Sequence, residues 1–135
     1  MLFSENMDLN MLFNPNDNKL FNKEEGLIKG NMFKDEYIPY KDYTPKKLYA
    51  TDNKNEIKLK LYETYFAITD LNLYLDLNKD DNEIFETYKS FINEFNKYKE
   101  EYESIYGPLE ITCITNKYDW LNGPYPFEDG GIKYV

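Results

Sequence analysis

Two stretches of this chain space their apolar residues as helices do, and a short acidic turn separates them. In the first, Ile57, Leu61, Thr64, Ile68, Leu71 and Leu75 recur at alternating steps of four and three, which brings them to one side of an α-helix. A second line, Leu59, Phe66 and Leu73 with Tyr62 beside it, runs down another side, so this helix is apolar on more than one face. In the second stretch Ile84, Tyr88, Phe91, Phe95, Tyr98, Tyr102 and Ile105 form a single seam, flanked by Phe85 and Ile92 and otherwise polar. The pattern predicts an antiparallel αα-hairpin over about 52–76 and 80–106. Thr51 or Asp52 would cap the first helix and Asp80 or Asp81 the second. Gly107 would take the left-handed position after the last turn, and Pro108 prevents continuation.

The flanks are less regular. Residues 1–50 are punctuated by NPNDN, Gly26, Gly30, Pro39 and Pro45, and only Asn22 to Lys29 looks helical, with Leu27 and Ile28 on one side. The following MFKDEYIPYKDYTPKKLY pairs aromatic residues with proline and favours extended backbone. After Pro108, LEITCIT reads as a short extended segment docked on the hairpin, and the tail KYDWLNGPYPFEDGG as a second aromatic arm. The division expected is an arm at 1–50, the hairpin at 51–108 and a tail at 109–135: mainly α, with extended, aromatic- and Pro-rich arms. Two helices of about 25 residues run about 37 Å each. A bare hairpin would leave the second face of its first helix in water, so that face needs a cover. The N-terminal arm, the tail or another subunit must supply it.

Composition changes the picture mainly by exclusion. The net charge of −9 offers no basic stripe to phosphates, which argues against nucleic acid. Residues 51–106 hold 13 acidic residues against 7 lysines, while residues 1–50 hold 8 against 7, so the acidity sits on the helices. The sequence contains no His, Arg or Gln. Without His there is no imidazole base, no Ser-His or Cys-His pair and no Glu-x-x-His carboxylate metal site. Without Arg there is no bidentate phosphate clamp. The single Cys113 rules out an intramolecular disulfide framework. MLFSENMDLN has neither a basic start nor an apolar run, and no apolar stretch is long enough to span a bilayer, so neither a secretory signal nor a membrane span is expected.

Three local patterns invite sharper readings. DLNKDD at 76–81 lacks the central glycine and closing glutamate of a calcium loop and reads as a helix end, a turn and an N-cap. Glu56, Glu63 and Asp70 recur at seven residues and could form a carboxylate row. With no facing row on the second helix, a solvated or salt-bridged face is the better reading. Cys113, among β-branched neighbours, reads as a small buried hydrophobe. No catalytic residue, cofactor or metal is expected. The residues suited to a partner are Leu59, Tyr62, Phe66 and Leu73 on the second face, and Phe33, Tyr37, Tyr40, Trp120, Tyr125 and Phe127 in the arms.

The hairpin and tail resemble the CotJB family of spore coat proteins, through LYETYFAITDLNLYLDLN, the YGPL stop and YDWLNGPYPFE. The family usually has Trp where Tyr125 and Phe127 stand, and a threonine-histidine-proline turn where this chain has LNKDD. Upstream, NKEEGLIKGNMFKDEYIPY resembles the C-terminal half of CotJA, a companion coat protein. The resemblance implies a non-enzymatic coat component made in the mother cell cytoplasm during sporulation and then placed in the coat. Its implied partners are a manganese catalase of the CotJC type and other coat proteins. The residues alone leave open a self-associating bundle, two hairpins forming a homo-oligomer with no catalase client.

Overall fold

The computed structural model describes residues 19–121 and 131–134; the positions of Tyr125 and Phe127 lie outside them. Helix α1, Lys23–Lys29, precedes a strand β1, Leu48–Ala50, which leads into the long helix α2, Asn53–Leu77. Helix α3, Asn82–Tyr106, runs back along α2, and strand β2, Ile132–Tyr134, returns to pair with β1. The hairpin is as the sequence predicts, within a residue or two at each end. Asp52 is the cap of α2, its carboxylate accepting from the Asn55 N–H at 2.8 Å. Asp81 caps α3, accepting from the Ile84 N–H at 3.2 Å. The Asn78–Asp81 turn is cross-braced by the Tyr74 hydroxyl, which donates to Asp81 Oδ2 at 2.6 Å.

Helix α1 is capped at Asn22, whose side chain accepts from the Glu25 N–H, and closed by Gly30 at φ 72°, where a side chain would be strained. The chain on either side of α1 is tied together. Leu20 bridges Phe33, and Phe21 N–H donates to Met32 O at 2.8 Å. This closed loop presses on α2. Met32 is fully buried with Leu20, Ala67, Leu71 and Ile84, and its N–H donates to Asp70 Oδ2 at 2.8 Å. Gly26 is required by the same contact, since a Cβ there would stand 2.3 Å from Met32 Sδ. The N-terminal segment thus supplies part of the cover that α2 needs. A second cluster, Ile57, Leu61 and Tyr102 with Phe95 and Tyr98, packs the other end of the hairpin.

Four features depart from the sequence reading. Residues 34–36 form a 3₁₀ turn rather than extended chain. LEITCIT is a turn whose Ile111 and Ile114 are exposed, not a strand docked on the hairpin; the Cys113 N–H donates to Glu110 O within it. Gly107 takes φ 115° and ψ −178°, an extended conformation open to glycine, rather than the left-handed helical one. The β1–β2 ribbon, antiparallel with Leu48 opposite Tyr134 and Ala50 opposite Ile132, was not anticipated. Thr51 extends it, its N–H and hydroxyl both donating to Gly131 O at 2.9 Å.

Candidate functional site

The ten residues picked out for partner contact divide sharply by position. Leu59 is buried and Phe66 half-buried against the Leu20–Met32 cluster, so both belong to the interior of this chain. Phe33 lies on Tyr74, with ring centroids 4.8 Å apart, and Tyr37 meets Phe21 edge-on at 5.8 Å. These two hold the N-terminal segment against itself and against α2. By contrast Tyr62 is 50% exposed, Leu73 60% and Tyr40 69%, with Trp120 also at the surface. At about 100° per residue Tyr62, Leu73 and Leu77 fall on one side of α2, with Tyr65 at its margin. All four are exposed. This stripe is what the α3 seam and the N-terminal loop both leave uncovered.

On the side of α2 facing α1 the structure departs from expectation. Glu63, expected on a solvated face, is only 7% exposed, because α1 lies over it. Burial is the chief cause that pushes its carboxyl from the ordinary 4.5 up to about 7, and the neighbouring Glu24 carboxylate adds to it. Lys23 and Lys60 act in the opposite sense. Lys23 is committed elsewhere: it pairs with Glu94 of α3 and lies 4.9 Å from the Tyr98 ring centre. Desolvation depresses the Lys23 ammonium, but the Glu94 partner outweighs it, and the net shift is upward. Sequence spacing gave no sign that Glu63 is covered. The available clue was Ala67, a small residue in a helix of large ones, one turn away and fully buried where the N-terminal segment comes close.

Cys113, expected to be buried, is half-exposed, and the nearby Glu103 carboxylate pushes its thiol pKa up, away from the reactive thiolate. Among the described residues no group of three or more His, Cys, Asp or Glu is arranged to hold a metal ion. None of their helices is long and apolar enough to cross a membrane.

In class, then, this is a two-helix hairpin braced by its own N-terminal loop, carrying an uncovered aromatic and aliphatic stripe on its first helix. A family model described as CotJB protein matches residues 55–128, more than half of the chain, and the protein belongs to the CotJB family of spore coat proteins. The match covers most of the hairpin and reaches the tail motif; it does not extend to residues 22–40, where a resemblance to CotJA is expected. No curated protein and no solved structure matches the chain.

Proposed function

We propose that this protein is a non-enzymatic component of the spore coat that binds a manganese catalase of the CotJC type and helps place it there. The observation that carries the reading is the uncovered stripe of Tyr62, Leu73 and Leu77 on α2, with Tyr40 and Trp120 as further exposed anchors. Aromatic and aliphatic side chains of this size, left outside on a rigid helix, suit the centre of an interface. Membership of the CotJB family supports the coat as the setting. On this reading the CotJA-like N-terminal segment acts as a built-in brace, holding α2 so that its remaining face points outward. Synthesis in the mother cell cytoplasm belongs to the same proposal.

Co-expression of the full chain with such a catalase, followed by affinity capture, tests the reading. The wild type should retain the catalase, and the double variant Tyr62→Glu, Leu73→Glu should lose at least tenfold of the captured enzyme. Both positions are exposed, so circular dichroism should be unchanged. Failure of the wild-type chain to capture the catalase at low salt would reject it. A dimer in size-exclusion chromatography that the same double variant dissolves would instead assign the stripe to self-association.

A further inference from the structure

Between α1, residues 44–48 and α2 lies a half-open cavity of about 550 Å³. Its walls include Ile28, Pro45 and Leu48, and Glu63 lines it from α2. Glu63 is only 7% exposed as a residue, and its carboxylate meets the cavity rather than a hydrogen-bonding side chain of the described residues. A carboxyl placed so deep ordinarily has a protein partner as well as water. Here the open side of that carboxyl is the cavity.

The charges around it are already partly used. Glu25 pairs with Lys29 at 3.1 Å, and Lys29 also lies 4.2 Å from the Phe21 ring centre. Lys23 is held by Glu94 of α3, and Lys60, one turn before Glu63 on α2, lies toward the Tyr98 ring. With the Glu25–Lys29 pair set aside, the lining leaves Glu24 and Glu63 against Lys47. With Glu63 ionised the lining therefore carries a net negative charge, and Ile28, Pro45 and Leu48 give the cavity an apolar wall beside the carboxylate. An anion is disfavoured there, and a neutral apolar molecule would leave Glu63 unpaired.

We propose that this cavity binds a primary ammonium group on an apolar stem, the chemistry shared by a lysine side chain of another protein and a free alkylamine, with Glu63 as its counter-ion. The stem would lie along Ile28, Pro45 and Leu48, and the ammonium would supply the hydrogen bonds Glu63 lacks. The site is separate from the Tyr62–Leu73 stripe and does not depend on the catalase reading.

Burial, which holds the Glu63 carboxyl near 7, sets the pH dependence of the site. Lys23 and Glu24 of α1, Lys60 of α2 and Glu94 of α3 all bear on that value. Binding of a cation requires the ionised form, so affinity should rise about tenfold from pH 6 to pH 8, as the ionised fraction grows from about one-tenth to about nine-tenths.

The test uses the full chain and NMR titration, with the side-chain carboxyl carbon of Glu63 as reporter. The probes are n-pentylammonium chloride, n-pentanol as its uncharged counterpart, and N-acetyl-lysine methylamide as a stand-in for a protein side chain. Expected are saturable shifts with an ammonium probe, the tenfold pH effect, at least tenfold weaker binding of pentanol, and loss of binding in Glu63→Gln with the helical spectrum intact. Tighter binding of the lysine derivative than of pentylammonium would identify a protein side chain as the source, and the reverse order a free amine. Equal binding of pentanol, undiminished binding by Glu63→Gln, or no saturable shift with either ammonium probe would overturn the proposal.

Discussion

Glu63 and Asp81 show how the same side-chain chemistry can act in opposite directions in one hairpin. The Glu63 carboxyl has a folded-state pKa near 7, above the 4.5 of an ordinary glutamate, so folding favours its protonated form. Below 4.5 the group is neutral folded or unfolded, and its ionisation costs the fold nothing. Between 4.5 and 7 the native state holds the proton more tightly, and stability falls as pH rises; above 7 the full penalty is present. Glu63→Gln should therefore raise the melting temperature by a few degrees at pH 8 and leave it nearly unchanged at pH 4. Thermal scans at the two pH values check this, and an equal effect at both would contradict it. At Asp81 the Tyr74 hydroxyl is the main cause that lowers the carboxyl below the ordinary 3.8. Its stabilisation is in place above 3.8 and is lost as pH falls through the folded value. Tyr74→Phe should cost about 1 kcal/mol at pH 7, less than the usual range for a bond to a charged group because the turn is solvated. Urea unfolding should show that difference shrinking as the pH is taken down through and below 3.8.

At the scale of elements, the packing of α1 and its flanking strands on α2 rests on Met32. Met32→Ala should cost about 2–5 kcal/mol, the usual range for emptying a filled core position. Chemical denaturation measures it, and a loss below 1 kcal/mol would show that the N-terminal loop is not integral to the core. The elements differ in how far the sequence reveals them. The hairpin was legible because two periodic seams, capping aspartates and Gly107-Pro108 all state the same thing locally. The helix at 23–29 was legible too, from Asn22 and Gly30 at its ends. Which face of α2 it covers was not. A row of acids at Glu56, Glu63 and Asp70 looks the same in sequence whether water or another helix lies over it. The burial of Glu63 is decided by where Met32 and Gly26 bring α1, a tertiary contact with no local signature. Likewise Leu59 and Phe66 resembled Tyr62 and Leu73 as free apolar residues, yet the fold buries Leu59, packs Phe66 on the Leu20–Met32 cluster and leaves the second pair exposed.

At the scale of the whole molecule, the hairpin and the β1–β2 ribbon depend on each other unequally. Thr51 and Gly131, which join the ribbon to α2, are 80 residues apart in sequence. Closing so long a loop in an unfolded chain costs about 4 kcal/mol in lost chain entropy, more than a ribbon of three residues per strand can return. The folded hairpin shortens the problem. Asn53 at the start of α2 donates to the Tyr106 hydroxyl at the end of α3, at 2.8 Å, so the two ends already meet. Only about 25 residues then remain to be looped, saving about 1 kcal/mol. The ribbon is thus favoured once the helices have formed, and it is expected to open while they stay closed. It behaves as a latch on a finished frame, with its own lower opening free energy. Native-state hydrogen exchange should show the Thr51 amide, which donates to Gly131 O, exchanging at least tenfold faster than those of Leu61 to Leu71. Equal protection would mean that ribbon and helices open as one unit. A latch that releases without unfolding the frame would let β2 leave and rejoin β1 on its own timescale, so that the same chain would present two outlines to its surroundings.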